Sequence, residues 1–78
     1  IKRTGRNRVL RNVLIAMGNS GDPALAASAA PHLDDPDPVV RGAAAWALRR
    51  LLDPGAFSGL RETYALGERD PDVRGEWA

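Results

Sequence analysis

DPDPVVRGAAAWALRRLL, residues 35–52, joins a turn, a helix start and an apolar stripe that all point the same way. Asp37 can cap a helix through its carboxylate, and Pro38 suits the first helical position, where its missing N–H would be unpaired anyway. From there Val40, Ala43, Ala44, Ala47, Leu48 and Leu51 recur at the three-and-four spacing that puts them on one side of a helix over 38–52. Alanine contributes little area per residue, but it lets a neighbouring helix backbone come close. The stretch therefore reads as the inner helix of a helical repeat, packed by shape rather than by bulk.

Upstream, Asp34-Asp35-Pro36-Asp37-Pro38 is a sharp acidic corner, because each proline disfavours helix at the residue before it. Before the corner, Asp22-Pro23 opens an alanine-rich helix over 23–33, with Leu25 and Leu33 as its larger apolar residues and Pro31 shortening its last turn. Gly18-Asn19-Ser20-Gly21 is turn chemistry. Ahead of it Val9, Leu10, Val13, Leu14 and Met17 form the stripe of a first helix over 6–17, which Gly18 is expected to end in the left-handed conformation. Downstream, Asp53-Pro54-Gly55 breaks the chain before a helix over 56–67 with Phe57, Leu60, Tyr64 and Ala65 on its apolar side. A last helix opens at 71–78.

Two offsets expose a repeat. Asp22-Pro23 recurs as Asp53-Pro54 after 31 residues, and Asp37-Pro38-x-Val40-Arg41-Gly42 recurs as Asp70-Pro71-x-Val73-Arg74-Gly75 after 33. Two helices per period of this length mark an α-solenoid, whose units bury their faces only against neighbours. The expectation is an all-α, short solenoid of about two and a half helical hairpins. It begins at Ile1 and stops inside a new helix, so it reads as a piece of a longer protein, open at both ends. A second copy could stack on such ends.

The chain has 78 residues and no cysteine, hence no disulfide framework, thiolate ligand or cysteine nucleophile. It has no apolar run near the roughly 20 residues of a membrane span. Formal net charge is +1, but its distribution is uneven. Residues 1–21 hold Lys2, Arg3, Arg6, Arg8 and Arg11 with no acid, whereas residues 22–78 hold six arginines against ten acids. A basic end of this kind favours an anionic partner such as a nucleic-acid backbone, which guanidinium groups can grip bidentately, although solvated basic faces also occur without one. Arg8, Arg11 and Asn12 lie three and four residues apart and share a helix face. Asn12 can bond a base edge or a sugar, or tie to a nearby loop backbone.

Other polar residues read as structure. Asp37 and Asp70 are caps, and Arg41 and Arg74, at matching places in successive repeats, are expected to bond a neighbouring corner's carboxylates or carbonyls. Trp46 falls beside Val39 and Arg50, where it covers the seam between repeats with Arg50 over its ring, or stacks on a base. His32 has no second histidine or cysteine to complete a metal site. The acidic corner lacks the glycine and distal glutamate of a calcium loop. No catalytic constellation is visible.

With the repeat established, DDPDPVVRGAAAWAL resembles a short HEAT-type repeat, also called a bilin-lyase-like repeat. The opening IKRTGRNRVLRNVLIAMGNSGDPAL, above all Arg11-Asn12 and Gly18-Asn19-Ser20-Gly21, resembles the C-terminal part of bacterial epoxyqueuosine reductases. That resemblance implies a cytoplasmic parent oxidoreductase carrying cobalamin and two [4Fe-4S] clusters, which finishes queuosine at the tRNA wobble position. It also implies that this segment is a helical tail gripping the tRNA anticodon stem-loop alongside an upstream catalytic region. The rival expectation is a HEAT-repeat scaffold that docks other proteins and binds no nucleic acid.

Overall fold

Four Asp-Pro pairs open helical segments, and in each the aspartate carboxylate accepts a hydrogen bond from a backbone N–H of the first turn. Asp22 accepts from Ala24 at 3.0 Å, Asp37 from Val39 at 2.7 Å, Asp53 from Ala56 at 2.8 Å, and Asp70 from Asp72 at 2.9 Å. The proline sits where no N–H is needed, so cap and proline together specify each start. The computed structural model describes residues 3–78, with side chains from residue 5 onward. Its helices are α1 (Arg3–Ser20), α2 (Ala26–Ala29), α3 (Pro38–Leu51), α4 (Pro54–Tyr64) and α5 (Pro71–Trp77). Tight 3-10 turns, Pro23–Leu25 and Ala30–Asp34, flank α2. No strand occurs among the described residues.

α1, α3 and α5 lie side by side as an inner layer with α3 in the middle, and α2 with its flanking turns and α4 back them as an outer layer. This is the solenoid arrangement that the two offsets predict. Being central, α3 buries a wider arc than its expected stripe: Ala45 is fully buried alongside Val40, Ala44, Ala47, Leu48 and Leu51, while Ala43 is half-buried. At the far end Trp77 of α5 stacks on Phe57 and Tyr64 of α4, with ring centroids 5.2 and 5.9 Å apart.

Three expectations are corrected. The segment over 23–33 is not one helix. Pro31 has no N–H to donate, and the chain tightens into 3-10 geometry over Ala30–Asp34 while still burying Ala29 and Leu33. The helix expected over 56–67 runs instead from Pro54 to Tyr64, because Asp53 caps it at once. The first helix does not end at Gly18. It continues to Ser20, whose hydroxyl donates to the Met17 carbonyl at 2.6 Å, and Gly21 adopts the left-handed conformation at φ 69°. Gly18 serves packing instead: a methyl added there would stand 2.5 Å from Trp46 Cζ3 and 3.1 Å from the Ala47 Cα, so this glycine lets α1 and α3 approach.

The buried face of α1 is also rotated from the expected stripe. It runs through Asn7, Leu10, Leu14, Met17 and Gly18, while Val9 and Val13 are 60% and 43% exposed on the side turned from α3. Asn7 can be buried because its amide is paired: Nδ2 donates to Asp37 Oδ2 at 2.5 Å, and Oδ1 accepts from Arg6 Nη1 at 2.8 Å.

The corners repeat a single device. Asp35, two residues before the cap Asp37, accepts the Asp37 N–H at 2.9 Å and Arg6 Nη2 of α1 at 2.6 Å. Glu68, two before the cap Asp70, accepts the Asp70 N–H at 3.0 Å and Arg41 of α3 through a two-pronged pair at 2.9 and 3.0 Å. Arg41 Nη1 also donates to the carbonyls of Asp35 and Pro36, at 2.9 and 3.0 Å. Side-chain exposure is only 4% for Asp35 and 9% for Glu68, so each carboxylate depends on its arginine. The hydrogen bond from Arg6 holds Asp35 below the usual carboxylate range, and that from Arg41 does the same for Glu68; burial opposes both and is outweighed.

Two outcomes follow. Gly18→Ala is expected to lower stability by about 1–3 kcal/mol through overpacking, despite alanine's better helix preference. Gly59→Ala in α4, where nothing lies within 4 Å of the added methyl, should raise it by about 0.5–1 kcal/mol. Urea midpoints measure both, and an equal gain at the two glycines would contradict the close α1–α3 approach. For pH, depressed carboxylates stabilise the fold above their unfolded values of about 4, and that contribution disappears as pH falls through the lower folded values. The urea midpoint should therefore hold from pH 7 to about 5 and drop steeply below about 4. Asp35→Asn with Glu68→Gln should start lower at pH 7 and lose much less on acidification; a parallel drop would assign the acid sensitivity elsewhere.

Candidate nucleic-acid interface

Helical geometry divides the basic residues of α1. At about 100° per residue, Arg6 and Arg8 point some 200° apart around the axis. Arg6 turns to the acidic corner and is committed to Asp35. Arg8, Arg11 and Asn12 turn to the exposed face that also carries Ile15 and Asn19. Among the described residues neither Arg8 nor Arg11 forms an ion pair, and Arg11 reaches only the neighbouring Asn12 Oδ1, at 3.4 Å. Lys2 lies outside the described residues, as does the side chain of Arg3.

This face borders an open groove of about 310 Å³ on the inner layer. Arg11 and Ile15 form its α1 side; Val39, Gly42, Ala43 and Trp46 of α3 form its floor; Asp72, Val73 and Glu76 of α5 form its other side. The rim is therefore polarised, basic along α1 and acidic along α5. An anionic chain is attracted to the first wall and repelled by the second, which confines it to the α1 side.

Trp46 lies where the groove meets the seam. Its ring packs over Gly18, and the Arg50 guanidinium stands 5.1 Å from the ring centre. Arg50 Nε donates to the Gly18 carbonyl at 3.3 Å, one of the last carbonyls of α1 and without a partner further along the helix. The ring thus covers the seam, as one of its two sequence readings expects.

Asp37 and Asp70 are caps, and Arg41 spans two corners as described above. Arg74, at the corresponding place in α5, is exposed and makes no side-chain hydrogen bond among the described residues. His32 is half-buried in the turn before the corner, and the described residues contain no cluster of three or more His, Cys, Asp or Glu able to hold a metal ion. With no cysteine in the 78 residues, iron–sulfur clusters of the kind the resemblance implies have no thiolate ligand in this stretch. Among the described residues no helix is long and apolar enough to cross a membrane.

Asn7 and Glu68 are the residues that sequence reasoning missed. Glu68 had a signal, since the 33-residue offset that pairs Asp37 with Asp70 also pairs Asp35 with Glu68. Asn7 had none: a polar residue on a basic helix reads as solvated unless its partner, thirty residues away, is known.

Comparison with known proteins agrees with this architecture. Residues 2–78 match the family model described as HEAT repeats. The chain is 35% identical over 75 residues to the epoxyqueuosine reductase of Bacillus subtilis (strain 168), a match covering 90% of this chain. It spans 18% of that relative's length. No solved structure gives a significant match. With two corners built alike, three inner helices in parallel register and a family match over residues 2–78, the chain belongs to the HEAT-repeat family.

Proposed function

We propose that this chain is the tRNA-holding helical part of an epoxyqueuosine reductase, which positions the anticodon stem-loop for an upstream catalytic region. The observation that carries this reading is the division of arginines on α1: the fold consumes Arg6 and leaves Arg8, Arg11 and Asn12 exposed on one face, of which Arg11 lines the wall of an open groove. The similarity to the Bacillus subtilis enzyme supports the choice of parent.

The work assigned to these residues is positioning. Arginines one turn apart on a rigid helix can each pair with a phosphate oxygen, which fixes the register of an RNA without reading its bases. Asn12, beside Arg11, carries both a donor and an acceptor and can add a contact to a sugar or base edge. Reduction of the epoxide belongs to the parent's catalytic region, where cobalamin and the two [4Fe-4S] clusters would supply the chemistry, and a cytoplasmic location follows from the tRNA substrate. A second reading, a protein-docking scaffold, is favoured by the apolar groove floor and by Val39, which is half exposed there.

Salt separates the two. Two phosphate contacts contribute a slope of log K on log salt of about −1.4 to −1.8, so affinity for a tRNA anticodon stem-loop should fall at least about sevenfold between roughly 50 and 200 mM salt. Fluorescence anisotropy with a labelled stem-loop measures this. Arg8→Glu with Arg11→Glu should abolish binding while leaving the helical circular dichroism unchanged. Binding indifferent to both salt and the double reversal would favour the apolar groove and a protein partner.

A further inference from the structure

Beside the basic face of α1, α3 carries an arginine of its own. Arg50 is exposed, yet its guanidinium is held at two points, against the Trp46 ring at 5.1 Å and through Nε to the Gly18 carbonyl at 3.3 Å. An arginine side chain normally loses considerable rotamer freedom on binding a ligand. Here the planar group is already oriented by stacking and by one hydrogen bond, and among the described residues its two terminal nitrogens have no protein partner. Such a fork is prepared for a phosphate, because the ordering cost has been met within the fold and both remaining donors can engage at once.

Its location extends the α1 face. Trp46 lines the groove with Arg11 and Ile15, and Arg50 lies one turn further along the same side of α3, bonded to α1 at Gly18. From Arg8 to Gly18 is ten residues, about 15 Å of helix, so the row Arg8, Arg11, Arg50 is longer than one phosphate group can fill. The acidic side chains of Asp72 and Glu76 stand on the opposite wall, away from this row. Arg49, the adjacent arginine, is engaged elsewhere: it lies 5.0 Å from the Phe57 ring centre and donates to the Ala78 carbonyl.

We infer that Arg50, held in place by Trp46 and the Gly18 carbonyl, is a third phosphate-binding residue that carries the RNA backbone from α1 onto α3. Trp46 is then a positioning residue rather than a base-stacking platform. The inference rests on the RNA reading above.

The test is stem-loop binding by the full chain across a salt series, comparing the unaltered protein with Arg50→Gln, Arg50→Lys and Arg49→Gln. The unaltered protein should show a slope of about −2.1 to −2.7, for three contacts. Arg50→Gln should weaken binding about tenfold and reduce the slope by about 0.7–0.9. Arg50→Lys keeps the charge but loses the stacked fork, and should restore the slope while leaving binding about threefold weak. Arg49→Gln should change neither quantity. A structural role alone would alter thermal stability without touching the slope. If the unaltered chain shows no salt-dependent binding, the RNA reading fails and this inference with it. If it binds and Arg50→Gln matches it in affinity and slope, the assignment of Arg50 is overturned and the reading on α1 stands.

Discussion

The structure depends on a carboxylate placed two residues before the caps of α3 and α5. Asp35 and Glu68 are nearly removed from water, and each is held by an arginine from the preceding inner helix and by the N–H of its own cap residue. A buried carboxylate without such partners would cost several kcal/mol, so corner and preceding helix must be in register before either is stable. The surface between the inner helices cannot supply that register. Its α3 side is largely alanine, which packs closely but offers few projections to resist sliding. Apolar contact brings the helices together, and the charged corners determine where along one another they stop.

This division of labour separates arginines that the fold requires from those it leaves over. Arg6 and Arg41 hold corners, Arg61 donates to the Trp77 carbonyl at 2.6 Å, and Arg49 reaches the Ala78 carbonyl. Arg8 and Arg11 have no such duty, and Arg50 is only partly engaged. Because Arg6 and Arg8 point in nearly opposite directions around α1, one turn of helix both locks the solenoid and faces the groove. The positive charge near the start of the chain is thus two populations with different consequences for stability and for binding.

The local features of the fold were legible in the sequence. An Asp-Pro pair acts on its own first turn, so the starts at Pro23, Pro38 and Pro71 were read from neighbouring residues, whereas Asp53-Pro54-Gly55 read as a break because its glycine masked the cap; the offsets of 31 and 33 gave the solenoid. What depended on distant partners was not legible. Gly18 and Gly21 are equally good helix terminators by composition, and only the Trp46 ring, contributed 28 residues later, shows that Gly18 is needed for close approach. Val9 and Val13 fit the apolar stripe as well as Leu10 and Leu14 do, and the choice between them is made by Asn7, whose amide finds Asp37. The candidate site was legible in part: Arg8, Arg11 and Asn12 were grouped by spacing alone. Arg6 could not be told from them, since its partner lies across a turn and a second segment. Arg50 was visible only as a companion of Trp46.

A repeat architecture makes this kind of site easy to build. The inner layer sets three helices side by side, and the residues each buries against its neighbours are largely separate from those that line the groove rim. Those positions pass from Arg11 and Ile15 on α1, through Val39 and Trp46 on α3, to Asp72 and Glu76 on α5. The 33-residue offset shows how little the frame depends on them: Val39 and Asp72 occupy equivalent places one residue after their helix-opening prolines, and both helices form. Apolar in one repeat and acidic in the next, that position is left open by the fold. Polarity across the groove therefore varies repeat by repeat while the corners stay constant, so a helical stack can acquire a direction across its groove without any change to the frame.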